Sequence, residues 1–464
     1  MKKQLLFEFM QFLFRKLSFR ITAFTVLTFL TVQTSFAQKW NVIAQENDIS
    51  SVASCYTSIA VLGDVPYVAY IESTYSAGAT GVGKVKMKNP STGLWEQVGS
   101  NLSSLAGFPR LFKDKIGNLY VTYIDRNSSY KLAVKKLVAG AWVPLSTGND
   151  FVSTAQGTAT FSASDIRGDL AFDKDNIPYV AYSERVGTTS GYAYVKRFVN
   201  NAWETVGGAA VSSDVFAAGN GIAFDSDNIP YAVYIQQAAS NSGSGLIKAY
   251  RFVSNSWEDV SPANPVAPGT TTTGAITSVR HTSIAIDDTN SPVITYYNTT
   301  STKGTSIRLS DKVAKTWTWL GDISTRDTNR IMLINDSTGN LYTVFQDALI
   351  GSGTSATVRV FKKASGTSTF TELQNIPITS ESGVGIDAQG PNSTTAATKS
   401  IVNAAIALGS DTSKPYIVYS KTNGSGVVTP VVRLFDPGDP TNVKITDNTS
   451  TVVMDNGIVK ATIS

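Results

Sequence analysis

Few residue types in this 464-residue chain could do chemistry. There is one histidine, His281, and one cysteine, Cys55. Multi-histidine metal sites, cysteine-based zinc sites and a disulfide framework are therefore excluded, and Cys55 reads as a small buried residue. No G-x-S-x-G elbow, HExxH pair or phosphate-binding loop occurs. What remains is a set of arginines and carboxylates at recurring positions. Arg110, Arg167, the Arg280-His281 pair and Arg330 stand just ahead of, or within, short apolar runs. Glu72, Asp125, Glu184, Gln236, Asn298, Asp347 and Lys421 each stand two residues beyond a recurring aromatic segment. Guanidinium forks match carboxylates and other oxygen-rich groups, so the two sets together predict a site for an anionic or polyhydroxylated ligand. The competing reading is of solvated strand ends that pair with one another. His281 is the one candidate general base, or else a local hydrogen-bonding residue.

Two acidic turns raise calcium. Asp173-Asp175-Asn176 and Asp225-Asp227-Asn228 alternate oxygen ligands as the opening of a calcium loop does. They lack the glycine and the distant bidentate Glu of an EF-hand. Asp and Asn also close tight turns on their own backbone, and repetition of these turns favours that role. Apart from calcium, no cofactor is expected. Paired carboxylates for glycoside hydrolysis have candidates at several loops, but nothing singles out one pair.

The elements that must position these residues come from one repeat used seven times. DNIPYVAY at 175–182 recurs as DNIPYAVY at 227–234, with weaker copies at 63–70, 116–123, 289–296, 338–345 and 412–419. The mean spacing is about 58 residues, the size of a propeller blade. Between the copies lie Trp40, Trp95, Trp142, Trp203, Trp257 and the Trp317/Trp319 pair, with Phe370 in the weakest unit; no Trp lies elsewhere. Each unit reads as four short strands: an apolar one, the PYVAY strand after an Asp/Asn/Gly turn, a third alternating apolar and basic residues, and the Trp strand. PYVAY is apolar on both faces, which suits a sheet packed between two neighbours. The third-strand bases Lys86, Lys135, Lys196, Arg308, Arg359 and Arg433 recur by position and read as structural or solvated.

The order of units predicts closure. The repeat region opens with a Trp strand, 39–43, before any full unit, and the seventh unit ends at its third strand, 431–435. The first strand then completes the last blade, which removes a sheet edge. The fold class expected is all-β, a seven-bladed β-propeller closed by its N-terminal strand. In such a ring the arginines would stand near the mouth of the central channel, with the mixed acidic set just outside it. The acidic turns would lie on the opposite face.

Charge excludes one class of partner. The 39 Lys+Arg and 35 Asp+Glu give a formal net charge of +4. Residues 1–37 hold five bases and one acid, so 39 less 5 and 35 less 1 leave 34 of each in the remainder. A neutral body has no basic face with which to displace the counterions of a nucleic acid. The excess belongs to a targeting segment: basic residues to Arg20, an apolar run at 21–32, then Ser35-Phe36-Ala37 before Gln38. The apolar run is too short to span a bilayer. The organisation expected is a signal peptide over 1–37, the propeller over 38–435, a linker over 436–450 and the start of a further β domain over 451–464. The product would be a monomer secreted outside a bacterial cell or into its periplasm, with no membrane contact after cleavage.

Two resemblances follow. The rhythm of the repeat is similar to kelch- and sialidase-like propellers of secreted bacterial proteins. The sialidase signature of a Trp after a Ser-Asp-Gly turn is absent, so no active site is carried over. The closing run TVVMDNGIVKATIS (451–464) resembles the opening strand of plant-type rhamnogalacturonan lyases, polysaccharide lyase family 4. Asp455-Asn456-Gly457 is also what a simple hairpin turn needs. The resemblance covers 14 residues and none of that family's catalytic positions; it implies a chain leading into a lyase that cleaves pectic rhamnogalacturonan by β-elimination. The function expected is a non-catalytic, secreted propeller that binds a polysaccharide, pectic and anionic among the options, or a protein partner. The alternatives are a propeller that is itself a polysaccharide lyase or glycoside hydrolase, with His281 or a channel Tyr as base, and a structural scaffold for protein interaction.

Overall fold

The computed structural model describes residues 39–73, 81–146, 151–153, 168–186, 190–211, 217–237, 245–262, 279–298, 303–323, 327–348, 357–373, 404–422, 425, 427–437, 445–446, 450–455 and 458–463. All regular elements among them are strands. The first is β1 (Lys39–Ala44). Blade 1 is β2 (Ser54–Leu62), β3 (Val65–Glu72), β4 (Val82–Lys88) and β5 (Trp95–Gln97). Blade 2 is β6 (Ala106–Lys113), β7 (Leu119–Asp125), β8 (Lys131–Val138) and β9 (Ala141–Pro144). Blade 3 is β10 (Asp169–Phe172), β11 (Pro178–Val186), β12 (Ser190–Val199) and β13 (Ala202–Thr205). Blade 4 is β14 (Ala217–Phe224), β15 (Pro230–Gln237), β16 (Gly245–Val253) and β17 (Ser256–Asp259). Blade 5 is β18 (Val279–Ile286), β19 (Pro292–Asn298), β20 (Lys303–Asp311) and β21 (Thr316–Asp322). Blade 6 is β22 (Asp327–Asn335), β23 (Leu341–Ala348), β24 (Thr357–Lys363) and β25 (Thr371–Glu372). Blade 7 has β26 (Ala404–Leu408), β27 (Pro415–Thr422) and β28 (Val428–Asp436).

Every blade is an antiparallel meander, and β1 supplies the fourth strand of blade 7, in the order β1-β28-β27-β26. The result is a seven-bladed β-propeller closed by its N-terminal strand. Trp40 of β1 meets Phe435 of β28 at 5.2 Å and 56°. Phe198 and Trp203 in blade 3 (5.3 Å, 57°) and Phe252 and Trp257 in blade 4 (5.1 Å, 56°) repeat that contact. The outer strand of blade 7 therefore packs as its counterparts do, although it comes from the other end of the sequence. Separately, β29 (Ile445–Thr446), β30 (Ser450–Asp455) and β31 (Ile458–Ile463) form a three-stranded antiparallel sheet in which Asp455 stands opposite Ile458. The targeting segment expected over 1–37 lies outside the described residues.

Local chemistry explains why the blades assemble. Four of the second strands begin on proline, Pro178, Pro230, Pro292 and Pro415, at the first-residue position where a missing N–H does least harm. The strands they open are buried on both faces, as in β15 and β19. The repeated Trp has a polar purpose as well as an apolar one. Trp142, Trp257 and Trp317 each donate their indole N–H to a carbonyl of the preceding blade's end, at Val98 (2.9 Å), Val206 (3.0 Å) and Val260 (2.7 Å).

The third-strand bases divide by partner. One position, opposite Val68, Val121, Val180, Ala232, Thr343 and Ile417, carries Lys86, Lys135, Lys196, Tyr250, Phe361 and Arg433. At two of the three lysines the ammonium lies near a second-strand ring: Lys135 is 5.6 Å from Tyr123 and Lys196 is 5.9 Å from Tyr182. Where it is aromatic, the rings stack, as Tyr234 on Tyr250 (5.9 Å, 6°) and Phe345 on Phe361 (5.6 Å, 17°). A cation over a ring and a ring on a ring thus fill the same space between strands. Lys196 also donates to the Val152 carbonyl at 2.7 Å, and burial holds its ammonium below the usual lysine range.

Candidate ligand-binding site

The seven inner strands surround the axis, and their starts define the upper rim of the ring; the turns into the second strands form the lower rim. Five inner strands are interrupted near the start. The ladder slips between Cys55 and Ser58, Gly107 and Arg110, Ala218 and Gly221, Arg280 and Thr282, and Asn329 and Met332. Each slip is a β-bulge that turns extra residues off the ladder and toward the axis. Four bulges carry a residue with left-handed backbone: Tyr56 (φ 54), Phe108 (φ 51), Gly219 (φ 62) and His281 (φ 51). Glycine adopts this freely; the other three hold it at a cost of about 1–2 kcal/mol each. Tyr56 and Phe108, both buried, recover part of it by packing their rings at 4.3 Å.

Counting back four residues from the Asp of the lower-rim turn gives one level of the channel wall. That level holds Arg110, Asp169, Gly221, Ser283 and Met332 in blades 2 to 6, and register places Ser58 there in blade 1. Its polar members tie odd blades to even ones. Ser58 Oγ accepts from Leu111 N–H (3.0 Å), Asp169 Oδ2 from Ile222 N–H (3.0 Å) and Ser283 Oγ from Leu333 N–H (2.9 Å). Across blades 2 and 3, Arg110 Nη1 meets Asp169 Oδ1 at 2.6 Å, with 20% and 16% of the two side chains exposed. The Arg110 guanidinium also lies 5.1 Å from the Phe112 ring centre. Above this level Thr282 Oγ1 donates to the Gly219 carbonyl at 2.6 Å. The half-open space at the channel mouth has a volume of about 60 Å³, and all seven blades contribute to its wall.

The expected site residues separate in this geometry. Arg110 and His281 line the channel, and His281 is partly exposed. Arg280 and Arg330 lie in β18 and β22, where only their backbone is described, and Arg167 lies outside the described residues. The second-strand acids are engaged within their own blades. Glu72 pairs with Lys84 at 2.7 Å, Asp125 accepts from Ser103 Oγ (3.0 Å) and Asn127 N–H (2.9 Å), and buried Glu184 accepts from Tyr182 O–H (2.9 Å). Lys421, at the same place in blade 7, meets Glu46. For Asp347 only the backbone of β23 is described. Sequence reasoning missed Asp169. It treated the channel as basic, whereas the wall sets an acid directly against Arg110. The signal is the shared offset of four residues from Asp114 and Asp173.

The turns considered for calcium hold backbone instead. Asp173 Oδ1 accepts from the N–H of Asp175 (3.0 Å) and Ile177 (2.8 Å), and Asp225 Oδ1 from Asp227 (3.1 Å) and Ile229 (2.9 Å). Asn228 caps blade 3 by accepting from Lys174 N–H (2.7 Å), and Asn176 caps blade 2 in the same way from Lys115 N–H (3.0 Å). Asp225 faces Lys312 Nζ at 2.9 Å. Among the described residues no group of three or more potential ligands is placed to hold a metal ion.

No protein-family model matches the chain, and no curated protein is significantly similar to it. The resemblance of residues 451–464 to rhamnogalacturonan lyases therefore stands on those residues alone. Solved structures are similar in fold. A protein of unknown function from Dyadobacter fermentans is 9% identical, with a TM-score of 0.47 over 86% of this chain and 98% of that one. An ulvan lyase of polysaccharide lyase family 25, solved with a glucuronate–sulfated rhamnose unit, is 12% identical, with a TM-score of 0.47 over 85% and 95%. An α-L-arabinofuranosidase from Fusarium graminearum is 14% identical, with a TM-score of 0.43 over 70% and 98%.

Proposed function

We propose that the protein is an exported glycan-binding propeller whose ligand docks on the upper rim of the channel. The observation that carries this reading is the fixed Arg110–Asp169 pair, which sets a donor beside an acceptor, both partly open to solvent. Each is held from behind, Arg110 by its place over Phe112 and Asp169 by the Ile222 N–H. Such preorganised polar groups lose little freedom when a ligand arrives. The basic-then-apolar opening of the sequence supports export.

A lyase in this channel would need a cation to neutralise the substrate's carboxylate, and Arg110, the rim arginine whose side chain is described, already faces Asp169. Binding without turnover fits the wall better. Isothermal titration of the full chain, processed as secreted, against a panel of neutral and acidic plant and algal oligosaccharides tests the proposal. Weak to moderate binding that Arg110→Gln reduces, with no unsaturated uronate formed, is the expected result. Absence of binding to every glycan, or steady release of unsaturated product, refutes it; exclusive capture of a protein partner does so too.

A further inference from the structure

We infer that the upper rim recognises a neutral vicinal diol of a sugar ring, and that Asp169 rather than Arg110 sets this preference. The inference rests on the glycan-binding reading and narrows its ligand. An arginine-lined mouth would select carboxylates, but Arg110, the arginine whose side chain is described in the wall, is matched by a carboxylate 2.6 Å away. An incoming anion would gain from Arg110 and lose nearly as much to Asp169, because both charges sit at the same depth. A neutral diol meets no such opposition. One of its hydroxyls donates to a remaining lone pair of Asp169 and the other accepts from a remaining N–H of Arg110. Both protein groups are charged, so each hydrogen bond belongs to the stronger class.

Volume agrees with this assignment. The half-open space of about 60 Å³ has room for a few water molecules. Two adjacent hydroxyls on the edge of a sugar ring can each take the place of one of these waters. Among the described side chains, the rest of the wall around that space adds little charge. Asn220, Thr282 and Ser283 contribute neutral polar groups and Met332 an apolar one, with His281 beside them. A ring edge with the diol pointing down and its remaining substituents in solvent is the pose that this shape permits.

The test compares one backbone in two charge states. Fully methyl-esterified oligogalacturonate and the same oligomer as the free acid share their C2–C3 diol and differ only in the carboxylate. The full chain should bind the ester at least as tightly as the acid, with an affinity that stays flat as salt rises. Periodate cleavage of the diol should abolish binding. Asp169→Asn keeps an acceptor for the Ile222 N–H, so the ring should still fold, as its melting temperature would verify. It should weaken the ester by about tenfold or more and shift preference toward the free acid. Arg110→Gln serves as the second variant and should weaken both ligands. The inference is overturned, with glycan binding intact, if the free acid binds about tenfold tighter with strong salt dependence, or if Asp169→Asn leaves the ester's affinity unchanged. Failure of every neutral and acidic glycan to bind removes the parent reading and this one together.

Discussion

Replacing Lys363 with methionine should lower the melting temperature of the whole propeller by several degrees. Lys363 ends β24 in blade 6, and its side chain is 0% exposed. Its ammonium reaches back to blade 5, 3.1 Å from Asp288 Oδ1 and 4.0 Å from Asp287 Oδ2. Asp287 is itself fully enclosed and has Arg308 at 3.6 Å. Lys363→Met keeps the bulk and removes the charge, so two carboxylates lose a buried counter-ion. Removing one partner of a buried pair costs about 3–5 kcal/mol, an upper figure here because Arg308 still faces Asp287 and Gly366 N–H and Ser365 Oγ still donate to Asp288. A propeller of about 400 residues unfolds with an entropy of about 0.8 kcal/mol per kelvin, so the expected fall is at most about 4–6 °C. Differential scanning calorimetry at neutral pH reads it directly. Adding Asp288→Asn should return part of the loss, since the pair is then removed rather than broken. A single-variant fall below about 1 °C would refute the idea that the Lys363 ion pairs latch blade 6 to blade 5.

Three further expectations can be checked with the same protein. Ser58→Ala and Ser283→Ala each strand a buried inner-strand N–H, at Leu111 and Leu333; each should cost about 1–3 kcal/mol and speed hydrogen exchange at that one amide. Trp257→Phe keeps the ring against Phe252 but loses the bond to the Val206 carbonyl, so it should cost about 1 kcal/mol, against about 3–5 kcal/mol for Trp257→Ala, by denaturant titration. Acid should open the ring through its turns. Burial raises the carboxyls of Asp114 and Asp336, but hydrogen bonds from Asn118, Asn176 and Asn340 and from turn N–H groups outweigh it and hold both below the ordinary value. Groups with depressed folded values contribute stability that is present above about pH 4 and lost as pH falls through the folded values. Melting temperature should therefore be level near neutrality and drop steeply below about pH 4; a flat profile to pH 3 would contradict it.

Much of the ring was readable because each blade writes its own signals. The Trp that bonds the previous blade, the Asp that closes the lower-rim turn and the proline that opens the second strand recur at fixed offsets. Trp40 ahead of the first unit and the missing Trp after 435 even announced the closure between β1 and β28. The site was less readable. Arg110, Arg167, Arg280 and Arg330 look alike when each is placed only near the start of an apolar strand. Counted from the turn Asp they stand at different offsets: four residues before it for Arg110, six for Arg167 and Arg330, and seven for Arg280. The bulges then decide which residue turns to the axis, and no local pattern marks a bulge that carries Tyr56, Phe108 and His281 where glycine would be usual.

By itself, then, the sequence determined the repeat, the strand order and the closure, because strand faces and turns are set by residues near one another in the chain. The tertiary structure alone decided that Arg110 faces Asp169, 59 residues away and in the next blade. Whether a charge in the channel is free or matched depends on how neighbouring blades stack around the axis. That stacking is what matches the charge of Arg110.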